Sequence, residues 1–131
     1  KAMINMEQIR SRNALLAIKS CPGAFTGANE GAIVKKVPTM IQQNGLIAAL
    51  AFALEDQKKA ENSKRGDSGY ALVFAAVFQH LKCAQVGFCP AEISKLSDFA
   101  NWLVAEERSS AELRLLTKEA LAYMNLFRRY A

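Results

Sequence analysis

The chain has 131 residues, carries a formal net charge of +5, and is 51% hydrophobic and 22% charged. That length suits one domain, and a domain of about 150 residues buries about two-thirds of its unfolded surface, so one self-sufficient core is expected over residues 1–131. The balance excludes a disordered chain, and its wealth of alanine and leucine, with few β-branched residues, favours helix over sheet.

The charge is unevenly spread. Residues 1–54 hold six basic and two acidic groups, residues 55–70 four of each, and residues 71–131 seven basic and six acidic. A modest positive excess suits a polyanion partner without demanding one. The opening Lys1-Ala2-Met3-Ile4-Asn5 is too polar for a signal core, and the lack of an initiator Met leads us to expect that the true start was trimmed or lies outside these residues. The longest apolar runs, Leu46–Leu54 and Tyr70–Phe78, fall short of the ~20 residues that span a bilayer. Three cysteines, Cys21, Cys83 and Cys89, are an odd set without a secretion signal. We expect free thiols in a cytoplasmic protein with no membrane attachment.

Met3 to Ser20 reads as a first helix, with Met6, Ile9, Asn13, Leu16 and Ala17 on its apolar stripe and Arg10, Arg12 and Lys19 off it. Cys21-Pro22-Gly23 stops it, and residues 23–29 read as a loop. Glu30 to about Lys58 is the longest helical stretch. Ile33, Val37, Ile41, Ala48 and Phe52 form one apolar stripe, and Lys35, Thr39 and Gln42 follow another face. Pro38 should kink it or start a new helix. Leu46–Leu54 is apolar on every face, which predicts a central buried helix. Asn44-Gly45 resembles a hairpin turn, but neither flank alternates, so Gly45 is assigned to a close helix crossing.

Residues 59–68 read as an exposed loop. A third helix follows from Tyr70 to Val86, apolar at Leu72, Ala75, Ala76 and Gln79/His80, and Gly87–Pro90 breaks it. A shorter helix begins near Ser97, with Leu96, Phe99, Ala100, Leu103 and Val104 at helical spacing. Ser109-Ser110-Ala111-Glu112 fits a capping box and opens a last helix to Tyr130. Leu113, Leu116, Ala120, Met124 and Phe127 should face the core, with Arg114, Lys118, Asn125 and Arg129 opposite. There is no internal repeat or linker.

No catalytic constellation stands out. His80 is the single histidine, in an apolar helix, and a triad would need a nucleophile and a carboxylate beside it; a helix-packing role is expected. His80-x2-Cys83-x5-Cys89 offers three zinc ligands where a structural site wants four, so we expect no metal and no cofactor. Gly23-x3-Gly27-x3-Gly31 follows a helix and lacks a Gly-Lys-Ser/Thr ending, so it reads as a connector and not a phosphate loop. The informative cations are Lys35-Lys36, Lys64-Arg65 and Arg128-Arg129. With little aromatic interleaving, any nucleic acid should be held by its phosphates and not its bases.

The stretch Val34-Lys-Lys-Val-Pro-Thr-Met-Ile-Gln-Gln-Asn-Gly-Leu-Ile-Ala-Ala-Leu-Ala-Phe52 resembles a signature of the helical small subunit of Cmr-type (type III-B) CRISPR effector complexes. Thr117-Lys-Glu-Ala-Leu-Ala-Tyr-Met-Asn-Leu-Phe-Arg-Arg-Tyr-Ala131 is similar to that family's second signature. Residues 55–108 match only in helical character. Val37 stands where leucine is usual, Ala49 where threonine often occurs, and Asn125 and Phe127 where an aromatic and a lysine are expected.

The resemblance implies an all-α, single-domain bundle of about five or six helices without enzymatic activity. It implies copies stacked in a short filament beside the guide RNA–target RNA duplex, against other effector-complex subunits, in antiviral defence. The residues assigned to RNA are Lys35, Lys36, Gln42, Gln43, Asn44, Lys118, Arg128 and Arg129. They would act on phosphates and 2′-hydroxyls, since base pairing with the guide carries the specificity. Asn44 could instead cap or brace the kink, and Lys35 and Lys36 could simply face solvent. The competing reading is a helical protein-interaction adaptor that binds no nucleic acid, marked by an exposed apolar patch. A helix-turn-helix DNA binder needs a short polar recognition helix, and none is evident.

Overall fold

The computed structural model describes residues 5–20, 27–63 and 68–131. Six helices follow one another: α1 (Met6–Ser20), α2 (Gly27–Asn44), α3 (Leu46–Ser63), α4 (Gly69–Lys82), α5 (Leu96–Val104) and α6 (Ser110–Tyr130). No strand occurs among the described residues, so the expected all-α bundle is what forms. Met3, Cys21, Pro22, Gly23, Lys64 and Arg65 lie outside the described residues.

Helix starts follow side-chain chemistry. Asn5 caps α1, its Oδ1 accepting from the N–H groups of Glu7 and Gln8 at 3.0 and 3.3 Å, which removes orphan donors of the first turn. Ser68 caps α4: its Oγ accepts from the Ala71 N–H at 3.1 Å and donates to Asp56 of α3 at 2.6 Å. The expected capping box at α6 is present, with Ser109 and Glu112 each accepting from the other's N–H at 3.1 Å.

Several expectations need correction. α2 begins at Gly27, within the stretch read as a loop, and runs unbroken through Pro38. The break comes at Gly45, whose φ of +90° is left-handed. An added Cβ there would meet nothing within 4 Å, so Gly45 serves a backbone conformation and not a close crossing. Close approach occurs instead at Gly69, where a Cβ would come within 2.6 Å of Ile33 Cδ1. α3 continues to Ser63, past the expected end near Lys58. α4 ends at Lys82, short of the expected Val86.

The central helix is α4, which packs against each of the other five helices. It buries Ala71, Val73, Phe74, Ala76, Val77, Phe78, His80 and Leu81. Of the positions read from the sequence, Ala76 and His80 are buried, whereas Leu72 and Ala75 are half-buried and Gln79 is exposed. α3 buries Leu46, Ala49, Leu50, Ala53 and Ala60 but leaves Ile47 and Phe52 exposed, so apolar composition on every face did not make it central. Phe74, Phe78, Phe99, Tyr123 and Phe127 are the aromatic side chains buried in the core. Phe78 and Phe99 meet at 4.5 Å between ring centroids, joining α4 to α5.

α1 departs most from its expected stripe. Ile9 and Ala14 are buried, whereas Leu16 is 56% exposed. Arg10, which lies off that stripe, turns inward to Glu119. In α5, Phe99 and Leu103 are buried as expected, but Val104 is exposed. In α6, Leu116, Ala120, Met124 and Phe127 are buried, as their spacing predicts. No helix among the described residues is long and apolar enough to cross a membrane.

Candidate nucleic-acid interface

α2 and α6 pack side by side, and this pairing determines which of the assigned residues meet. All eight, Lys35, Lys36, Gln42, Gln43, Asn44, Lys118, Arg128 and Arg129, are exposed. Lys35, Thr39 and Gln42 lie on one face of α2 because they recur at i, i+4 and i+7. They line a groove of about 370 Å³ whose other wall includes Asn125 and Arg128 of α6. A second groove of about 610 Å³ is lined by Asn44 and Ile47 on one side and Arg114, Thr117 and Lys118 on the other. Leu121 lines both, so the two are neighbours along one seam.

The seam thus gathers Lys35, Gln42, Asn44, Lys118 and Arg128. It adds Thr39, Arg114 and Asn125, whose spacing puts them on polar faces but which the resemblance does not assign to RNA. Lys36, Gln43 and Arg129 line neither groove. One residue on an α-helix is a turn of 100°, so Lys36 and Gln43 stand to one side of their neighbours. Among the described residues, no carboxylate lines either groove. Four cations therefore face a seam without an opposing charge, a field that attracts polyanions. The Asn44 side chain makes no hydrogen bond to a described residue, and the turn it was expected to brace is made by Gly45. Arg128 and Arg129 sit in the last turn of α6, where cations also offset the negative end of the helix dipole.

A second polar cluster is buried where α1, α4 and α6 meet. Glu119 of α6 accepts from Arg10 Nε and Nη2 at 2.7 and 2.8 Å and from His80 Nε2 at 2.8 Å. Asn13 Nδ2 lies 2.9 Å from His80 Nδ1, and the imidazole stacks on Tyr123 at 4.4 Å. Burial pushes the Glu119 carboxyl up, but the hydrogen bonds and charges of Arg10 and His80 outweigh it and bring the group down to about 2. The Tyr123 hydroxyl, which burial pushes up, has no hydrogen-bond partner among the described residues.

Both ring nitrogens of His80 are engaged, as a packing histidine requires, but its carboxylate comes from Glu119, 39 residues away. The sequence signal for it was Glu119 itself, a charge on the core face of α6 beside Leu116 and Ala120. Cys83 is half-buried and Cys89 buried, both as free thiols. Burial pushes the Cys89 thiol up to about 12, which leaves little thiolate at neutral pH to attack a substrate. Among the described residues no three His, Cys, Asp or Glu side chains are grouped as metal ligands.

The family model described as CRISPR-associated protein (Cas_Cmr5) matches residues 6–131. No match was found among curated proteins or among solved structures. The match spans all six helices, both signature stretches and the seam between them, and the chain belongs to the CRISPR-associated Cmr5 family, the small subunits of type III-B effector complexes.

Proposed function

We propose that this subunit holds RNA along the α2–α6 seam, through phosphates and without reading sequence, as a non-catalytic part of a cytoplasmic antiviral ribonucleoprotein. The observation that carries the reading is the set of four cations, Lys35, Arg114, Lys118 and Arg128, lining two adjoining grooves with no carboxylate in their walls among the described residues. Gln42, Asn44 and Asn125 supply neutral donors beside them, suited to phosphate or 2′-hydroxyl oxygens. Guide pairing would select the target, so the subunit needs only charge and shape. Stacking of copies along the guide–target duplex would let weak single contacts add through linkage. The exposed Ile47 and Phe52 of α3 offer apolar surface for a neighbouring copy.

The test is RNA retention by the assembled complex across a salt series, comparing the natural chain with Lys35→Glu plus Arg128→Glu. The slope of log affinity against log salt should fall by about 0.7–0.9 for each phosphate that the variant no longer neutralises. An unchanged slope removes the seam from the RNA path. Lys36→Glu serves as the internal comparison, because that residue stands outside both grooves, and it should change the slope less than Lys35→Glu.

A further inference from the structure

We propose that the outer face of α1 is a docking surface for an amphipathic helix of another, non-identical subunit of the complex, a helix with carboxylates about two turns apart. The inference rests on family membership and not on the RNA reading. Leu15 and Leu16 of α1 are 43% and 56% exposed. Scattered exposed leucines are ordinary, but these two are continuous with apolar surface on both sides. Leu16 lines a groove of about 540 Å³ against Leu72, Ala75 and Ala76 of α4. Both leucines line another of about 610 Å³ against Leu126 and Tyr130 of α6. The small side chains of the α4 wall leave room for an inserted side chain, which is how helices seat in grooves.

Charge specifies the occupant. Gln8, Arg12, Leu15 and Lys19 recur at i, i+4, i+7 and i+11, so they form one stripe along α1. Arg12 and Lys19 are exposed and bracket the leucines about 10 Å apart along the axis. Arg12 donates to Gln85 at 2.9 Å, and neither cation pairs with a carboxylate among the described residues. Among the described residues, Glu7, at the far end of the face, is the sole acid in the walls of these two grooves. Between Arg12 and Lys19 the face holds exposed leucines and no cation, unlike the α2–α6 seam, so an apolar helix face suits it better than RNA. A second copy fits poorly as well. On α6, Leu115 has Glu112 a turn before it but Lys118 a turn after it; on α3, the acids Glu55, Asp56 and Glu61 all follow Ile47 and Phe52 and so cannot bracket them. Neither helix presents acids on both sides of its exposed apolar residues, so neither can meet Arg12 and Lys19 together. Val104, with Glu106 and Glu107 beyond it, ends a helix of only nine residues, too short to bracket the leucines with acids.

The experiment places a photo-crosslinking residue in the assembled complex, Leu15→benzoylphenylalanine and separately Leu16→benzoylphenylalanine, and sequences the cross-linked peptide. The expected product joins α1 to a helical segment of a different subunit with Asp or Glu about seven residues apart. Arg12→Glu with Lys19→Glu should cut its yield at least tenfold without moving the thermal melt of the isolated subunit. Cross-linking to a second copy, to RNA, or to nothing at both positions overturns the proposal, as does a yield indifferent to charge reversal. RNA retention measured on the same particles reports separately on the α2–α6 seam, so the two readings fail independently.

Discussion

Helix α6 carries charge on two faces, and the faces behave oppositely. Outward, Arg114, Lys118 and Arg128 line a seam with no counter-charge in its walls. Inward, Glu119 is 6% exposed and accepts three hydrogen bonds from two helices. A buried charge must be paired, because leaving water costs several kcal/mol, whereas an exposed charge costs little and gains little. The inner cluster therefore belongs to folding, and the outer seam is free to serve a ligand. Four experiments test or sharpen that division.

The largest effect should follow removal of the inner acid. Glu119→Ala leaves Arg10 and His80 facing each other without their shared acceptor, and breaking a buried pair in this way costs about 3–5 kcal/mol. Urea denaturation of the isolated subunit measures it. A loss below about 1 kcal/mol would mean that water reaches the cluster freely and that the inner and outer charges do not differ in kind.

Acid should reproduce part of that loss. Glu119 is held near 2, against an ordinary 4.5. The unfolded chain therefore binds the proton more readily than the folded one. The stabilisation is whole above pH 4.5 and disappears as pH falls toward 2; it amounts to roughly 3 kcal/mol, of which roughly 2 is gone by pH 3. Urea midpoints at pH 6 and pH 3 give the natural chain's loss, and Glu119→Gln, which cannot titrate, should lose less by that amount. Equal acid sensitivity in the two would assign the loss to other carboxylates.

The bundle was legible because its core positions recur at helical spacing: Leu116, Ala120, Met124 and Phe127 on α6, and Phe99 and Leu103 on α5. What periodicity cannot register is a polar group buried against another polar group far along the chain. Arg10 falls off the apolar stripe of α1, yet it turns inward because Glu119 waits there, 109 residues on. Neither residue alone carries that information. α3 differs for the reverse reason, since apolar residues on every face also describe a helix that leaves Ile47 and Phe52 exposed. The cations of the seam were readable as residue types, but their grouping depended on how α2 and α6 align. That alignment separates Lys35 from Lys36 and brings in Arg114.

A backbone change between the two faces should have an intermediate effect. Gly45 joins α2 to α3 at φ +90°, with open space where a Cβ would stand. Gly45→Ala then meets conformational strain and no clash, a cost of about 1–2 kcal/mol. Replacing Gly45 with D-alanine by chemical synthesis, which favours positive φ, should recover that loss. If both forms destabilise equally, the site is sterically closed and Gly45 is needed for space after all.

The smallest change in stability should come from the outer seam itself. Lys35→Glu with Arg128→Glu alters two exposed groups that take part in no ion pair with a described residue, and such surface changes usually stay within about 0.5 kcal/mol. Arg128 also faces the C-terminal end of the α6 dipole, so its reversal should account for most of whatever is lost. The same double variant is the one expected to flatten the salt dependence of RNA retention. Measuring both on one preparation is what gives the comparison its force. A variant that melts normally but loses its salt slope separates ligand binding from folding, whereas a variant that loses stability in step with RNA would make the seam a second structural cluster, held together by interactions that exposure alone does not disclose.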